Sequence, residues 1–168
     1  GDGIVSAAPR AGENVAAALR WARARLAQAG VDAPALDAEL LLAYVLKGDR
    51  SALLSRPERR LASPQADAFV ALVERRAGRE PLAYIVGRKE FYGLDLDVAG
   101  PVLIPRPETE ELVERALAWL RRRALPALLI ADVGTGSGAI AIALAQHAPA
   151  TRLYALEISP AACAVAGR

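Results

Sequence analysis

The chain has 168 residues, of which 54% are hydrophobic and 24% charged, so it can bury a core and belongs to neither the disordered nor the collagen-like class. Its 21 basic and 19 acidic side chains leave a formal charge of +2, too small an excess to single out nucleic acid as a partner. Cys163 is the only cysteine, which rules out an intrachain disulfide and fits a reducing cytoplasmic compartment; no apolar run of about 18 residues could span a bilayer.

Gly1-Asp2-Gly3 opens the chain without Met and without a secretory apolar region, and reads as a processed or artificial amino end. The first helix follows from Val15, Leu19, Ala22 and Leu26, spaced along one face, with Arg20, Arg23 and Arg25 largely off it and Gly30 closing it. Asp32 is expected to cap a second helix with Leu36, Leu40, Ala43 and Tyr44 facing inward until Gly48 ends it. Ser51 to Leu54 makes a short turn, and Ser63-Pro64 starts a third helix, cap then proline, with Phe69, Leu72 and Val73 as its apolar positions. This region carries no metal-ligand or triad spacing, so recognition is the task expected of it.

Arg56, Arg59, Arg60, Arg75, Arg76, Arg79, Arg88 and Lys89 concentrate positive charge in mid-chain. Two readings stand open: a solvated surface with ordinary ion pairs, or contact with an acidic or RNA-bearing partner. After Pro81 the period changes to two. Leu94, Leu96 and Val98 alternate with Asp95 and Asp97 behind Tyr92-Gly93, which predicts a β-hairpin over residues 85–99.

Val102 to Glu111 then leads into a helix running to about Arg123, with Leu112, Val113, Ala116, Leu117 and Leu120 as its buried stripe. Acids in its first turn and Arg121 to Arg123 in its last match the helix dipole. That leaves unexplained why two prolines bracket Arg106, an arrangement that presents a cation rigidly near the next motif.

That motif is Ala131-Asp132-Val133-Gly134-Thr135-Gly136-Ser137-Gly138-Ala139-Ile140-Ala141. Leu128 to Val133 reads as a strand buried on both faces of a parallel sheet, Ile140 and Leu144 as the inward face of a helix stopped near Pro149, and Thr151 to Ile158 as a second strand. A strand, glycine turn, helix and strand in succession bind nucleotide-like ligands. By spacing alone a dinucleotide competes, because Gly134, Gly136 and Ala139 fit its pattern and Glu157 lies about 20 residues on. Charge argues the other way. A pyrophosphate needs amide donors at a positive helix end, and Asp132 would set a carboxylate beside it. S-adenosylmethionine has no phosphate and carries two cationic centres, so the acid favours it, with Glu157 accepting both ribose hydroxyls. Gly138 tightens the turn where a side chain would block a ligand. Cys163 is expected to be a small buried helix residue, and His147 an ordinary polar residue at a helix end.

Arg79-Glu80-Pro81-Leu82-Ala83-Tyr84-Ile85-Val86-Gly87, Glu90-Phe91-Tyr92-Gly93, Ile104-Pro105-Arg106-Pro107-Glu108-Thr109-Glu110 and the Asp132 to Gly138 turn together resemble the peptide chain release factor glutamine methyltransferases of the HemK family. Asp37-Ala38-Glu39-Leu40-Leu41-Leu42 fits that family's amino-terminal domain as well. The resemblance implies an α/β architecture: a helical substrate-recognition domain over 1–84, a β-hairpin linker over 85–103, and from 104 to 168 the start of a Rossmann-like methyltransferase domain. It implies methyl transfer from S-adenosylmethionine to the side-chain amide of the Gly-Gly-Gln glutamine in class 1 release factors, by a cytoplasmic monomer whose direct substrate is not nucleic acid. Gly134, Thr135, Gly136, Ser137 and Gly138 match the cofactor turn, Glu157 the ribose-binding acid that is usually Asp, and Arg106, Glu108 and Thr109 a segment bordering the pocket. No metal is implied.

The family's Asn-Pro-Pro-Tyr, which accepts the two amide hydrogens and aims the nitrogen at the methyl group, has no counterpart among these 168 residues. No catalytic residue is therefore assignable, and the expectation is a truncated, inactive specimen with an incomplete doubly wound sheet. Two alternatives remain open: a nucleic-acid adenine amino-methyltransferase, which can share the absent motif, and a non-enzymatic release-factor-binding module.

Overall fold

A computed structural model describes residues 7–100, 102–123 and 128–168, so the reading of Gly1-Asp2-Gly3 lies outside it. Two compact units divide the chain at Val86 and Gly87. The first holds α1 (Val15–Gln28), α2 (Pro34–Val45), α3 (Arg50–Leu54), α4 (Ser63–Ala77) and α5 (Leu82–Val86). The second holds β1 (Arg88–Phe91), β2 (Leu94–Asp97), α6 (Pro107–Arg123), β3 (Leu129–Val133), α7 (Ala139–His147), β4 (Arg152–Leu156) and α8 (Pro160–Ala166). The architecture is thus mixed, with helices and two small sheets.

In the first unit α1, α2 and α4 pack around a core of Leu26, Leu41, Leu42, Phe69 and Val73, with Trp21 meeting Phe69 edge to face. Asn14 caps α1 by accepting the Ala17 N–H, and Asp49 caps α3 through Ala52. Asp32 does not cap α2. Pro34 starts that helix behind Ala33, and proline at the first turn removes one of the amides a cap would satisfy. The α2 face also differs from expectation: Leu36, Leu40 and Tyr44 are exposed, while Asp37, Ala38, Leu41, Leu42 and Ala43 turn inward. An almost wholly apolar helix has no preferred face of its own. Its rotation follows Asp37, which receives a 2.7 Å bond from Arg76 of α4.

Lys47, at φ 51, makes the left-handed exit after α2 that was expected of Gly48, and the Gly48 N–H closes onto the Ala43 carbonyl. Ser63 is the first residue of α4 rather than its cap; the Gln65 side chain accepts the Ala62 N–H instead. Leu82–Val86 is helical and places Ile85 in the first core, so the period-two reading holds only from Arg88. There β1 and β2 pair antiparallel, Phe91 opposite Leu94, across Tyr92-Gly93. Both turn residues have positive φ, as a two-residue hairpin requires.

In the second unit β3 and β4 run parallel, Val133 opposite Leu156. Ile130 and Leu153 pack with Phe91, Leu96, Val113, Leu117 and Leu144. The other face carries Leu129, Val133, Tyr154 and Leu156, exposed at 70%, 78%, 49% and 49%. The strand expected to be buried on both faces is therefore covered on one, because α6, α7 and the hairpin all serve the same core. Leu112 likewise lies outside the α6 stripe, where Val113 and Leu117 are the buried residues. α8 starts where Ser159-Pro160 predicts, capped by Ser159 Oγ on the Ala162 N–H. Its inward residues are Ala162 and Val165, which leaves Cys163 exposed rather than buried.

Candidate ligand site at the glycine turn

The turn between β3 and α7 is built almost wholly from its own backbone. Gly134, Gly136 and Gly138 stand at φ 81, 58 and 80, a region that costs a residue with Cβ about 1–2 kcal/mol. The Gly134 and Thr135 amides both donate to the Leu156 carbonyl, at 2.8 and 3.0 Å, and Gly138 N–H closes onto the Thr135 carbonyl. β4 thus holds the turn from its own last residue. A Cβ built at Gly134 or Gly136 meets open space, whereas one at Gly138 would come within 3.2 Å of Ile142. The first two glycines leave room for a ligand, and the third leaves room for the helix.

Two carboxylates flank the turn. Asp132 Oδ2 accepts the Thr135 hydroxyl at 2.7 Å. Glu157 is held more fully: Oε2 accepts Gly136 N–H at 2.9 Å, and Oε1 accepts Ile158 and Ser159 N–H at 2.9 and 3.0 Å. The Ser159 amide above all, then that of Gly136, keeps the Glu157 carboxyl below the usual glutamate range, so it is ionised at neutral pH. A groove of about 420 Å³, lined by Val133, Gly134, Leu156, Glu157 and Ile158, opens beside them at the carboxyl ends of the strands, where α/β sheets bind their ligands. Ser137 is buried beneath the turn. With the Gly134, Thr135, Gly136 and Gly138 amides engaged internally and two acids at hand, this turn is a poor diphosphate cradle.

The structure gathers Asp132, Thr135, Gly136 and Glu157 as a group of two hydrogen-bonded pairs, Asp132 with Thr135 and Glu157 with Gly136, on adjoining residues of the turn. Arg106 and Glu108 are exposed and Thr109 half-buried, and no hydrogen bond or ion pair among the described residues joins them to that group. Their segment is anchored instead by Glu110, whose Oε1 accepts the Tyr92 N–H of the hairpin turn at 3.0 Å. Glu90 accepts the Gly93 N–H at 2.7 Å, and the Tyr92 ring meets the His147 ring edge on, 5.0 Å between centroids. This role of Glu110 was hidden in the sequence behind the ordinary preference for acids in a first helical turn; the positive φ demanded by Tyr92-Gly93 was the available hint. Of the mid-chain basic residues, Arg60 binds the Gly12 carbonyl, Arg75 pairs with Glu80, Arg76 with Asp37 and Arg88 with Asp95, and Arg79 binds the Gly30 carbonyl. Internal partners account for most of that charge. Among the described residues no cluster of His, Cys, Asp and Glu could hold a metal, and no helix is long and apolar enough to cross a membrane.

Taken together, fold and turn define a mixed α/β protein with a strand, glycine turn, helix and strand unit ending in a fixed carboxylate. Residues 17–87 match the family model of the PrmC N-terminal domain. The chain is 44% identical over 152 residues to a release factor glutamine methyltransferase of Vibrio cholerae, across 90% of this chain and 52% of that protein. It is 47% identical over 149 residues to one of Moorella thermoacetica, across 89% and 52%. To one of Coxiella burnetii it is 50% identical over 136 residues, across 79% and 47%. The chain is similar to the amino-terminal portion of release factor glutamine methyltransferases and spans about half the length of the curated relatives it matches.

Proposed function

We propose that this chain is the amino-terminal portion of an S-adenosylmethionine-dependent enzyme that methylates the side-chain amide of the Gly-Gly-Gln glutamine in cytoplasmic class 1 release factors. The observation that carries the cofactor assignment is the pair of carboxylates, Asp132 and Glu157, set around a turn whose open side is kept clear by Gly134 and Gly136. Space where a Cβ would sit, negative charge, and engaged amides suit a cationic nucleoside without phosphate. When bound, S-adenosylmethionine supplies an electrophilic methyl group on a sulfonium sulfur.

On this reading the residues 134–138 hold the adenosyl ligand close to backbone, Asp132 offsets its positive charge, and Glu157 accepts from the ribose. Arg106, Glu108 and Thr109 border the pocket. Residues 1–84 recognise the release factor, 85–103 link, and 104–168 begin a Rossmann-like domain whose sheet is incomplete here. No residue of this chain is assigned a catalytic role, because the amide nitrogen must be aimed by acceptors of the Asn-Pro-Pro-Tyr kind. The protein acts as a monomer.

The test is a radiolabelled methyl-transfer assay offering release factor, RNA and DNA in parallel, to this chain and to a full-length relative. Release factor labelled by the relative, with negligible turnover by the 168-residue chain, is the expected result. Labelled nucleic acid would move the assignment to an adenine amino-methyltransferase. Robust turnover by the short chain would overturn the account of the absent motif, and capture of release factor without any effect of cofactor would favour a binding module.

A further inference from the structure

One line of apolar side chains in the first unit stays uncovered. Leu36, Leu40 and Tyr44 of α2 are each four residues apart, so they share one face of the helix, and all three are exposed. None of them belongs to the first core, so folding does not require leucine or tyrosine there. Single exposed apolar residues are ordinary, whereas a contiguous line of them marks a surface that something else covers. The residues beside the line carry charge. Ala35 and Glu39, one position back along α2, line a hollow of about 140 Å³ together with Leu19, Arg20 and Arg23 of α1. Arg25, Arg50, Arg75 and Arg76 of this unit each hold a carboxylate, and the one held by Arg50 is Glu39. Arg20 and Arg23 are exposed, and among the described residues neither side chain has a hydrogen bond or an ion pair.

From this surface we infer that α1 and α2 form a docking site for an acidic amphipathic helix of a protein partner. The apolar side of that helix covers Leu36, Leu40 and Tyr44, as one amphipathic helix lies along the apolar stripe of another, and its carboxylates meet Arg20 and Arg23. The two unpaired guanidiniums decide the sign of the partner. Glu39 does not cancel them, because Arg50 already neutralises it. The same face of a second copy of this chain would bring two further cations, so charge selects a different protein. That this helix belongs to the release factor rests on the reading above that residues 1–84 recognise it; the place of the site and the sign of its partner do not.

Two probes test this on the 168-residue chain. The first is a synthetic amphipathic helix with leucine on one face and glutamate on the other, titrated by NMR beside a counterpart with lysine for glutamate. The acidic peptide should shift the amides of Leu36, Leu40 and Tyr44, and the basic one should not. Leu36→Ser with Leu40→Ser should weaken the acidic peptide about tenfold at any salt concentration. Arg20→Glu with Arg23→Glu should weaken it about tenfold in dilute buffer and no more than about threefold in about 0.5 M salt. Arg121→Glu with Arg122→Glu, the same charge change on α6, should leave it within about twofold. Shifts confined to other residues, no shifts, or equal binding of both peptides overturn the site. The second probe is purified class 1 release factor, measured by calorimetry with the same variants, whose retained helical circular dichroism shows that they fold. Release factor bound equally by wild type and by both first-unit variants keeps the reading of residues 1–84 and overturns this surface as its site. Release factor left unbound by a chain that takes the acidic peptide overturns that reading and keeps the surface.

Discussion

Replacing Gly138 by alanine should cost more than the same change at Gly134, although both residues stand at nearly the same φ. At Gly134 the added methyl meets open space, so the penalty is backbone strain alone, about 1–2 kcal/mol. At Gly138 it also approaches Ile142 Cδ1 at 3.2 Å and Ala166 Cβ at 3.5 Å, so α7 or α8 must shift as well. Urea midpoints of the two variants check this, and a Gly134→Ala that is the weaker of the two contradicts it. Glu157 makes the second unit sensitive to acid. Its folded carboxyl titrates below the ordinary value of about 4.3, held down by the Ser159, Gly136 and Ile158 amides. A depressed acid contributes its stabilisation above the unfolded value and loses it as pH falls through the folded one. The second unit should therefore lose stability from about pH 4 downward, and Glu157→Gln should flatten that limb while leaving the neutral-pH slope alone; unfolding followed by tryptophan-independent circular dichroism across that range is the measurement.

At the scale of elements, the orientation of α2 depends on one ion pair between distant segments. Asp37 is 7% exposed and the Arg76 side chain 18%, so removing either leaves a nearly buried charge without its partner. Asp37→Ala should cost about 3 kcal/mol, whereas Glu111→Ala, which breaks an exposed pair with Arg115 on α6, should cost about 0.5 kcal/mol or less. Chemical denaturation separates the two; comparable losses would mean that hydrophobic contacts alone set the rotation of α2. The same helix marks where sequence reading runs out. α6 to Arg123, the hairpin at Tyr92-Gly93 and the succession β3, α7, β4 are legible because the apolar period is clear and glycine or proline punctuates it. In α2 nearly every position from Leu36 to Val45 is apolar, so period cannot choose a face, and the guanidinium that does choose lies 39 residues away. In the candidate site, residue type and spacing single out Asp132, the glycines and Glu157. Which amides Glu157 receives depends on side-chain length and strand-end geometry, which no periodicity encodes.

For the molecule as a whole, the informative surface is the open side of the β3 and β4 pair. Parallel strands are ordinarily covered on both faces, because each strand places apolar residues on both. Here Ile130 and Leu153 meet the second core, while Leu129, Val133, Tyr154 and Leu156 face outward, with Ile158, 98% exposed, just beyond. Among the described residues the β3 and β4 pair also leaves two edges whose amides and carbonyls have no strand partner within their sheet. Contiguous exposed apolar surface of this kind drives association when nothing covers it. A protein consisting of these residues alone should bind an apolar dye such as ANS in its folded state and sediment with a concentration-dependent coefficient. Val133→Lys combined with Ile158→Lys should reduce both signals, since neither side chain contributes to either core and two like charges on one face oppose stacking. A monodisperse, dye-silent wild-type chain would show that this face is covered within the chain itself. In a full-length relative, about twice as long, the same two lysines should instead destabilise the fold, because there the face would lie against further structure.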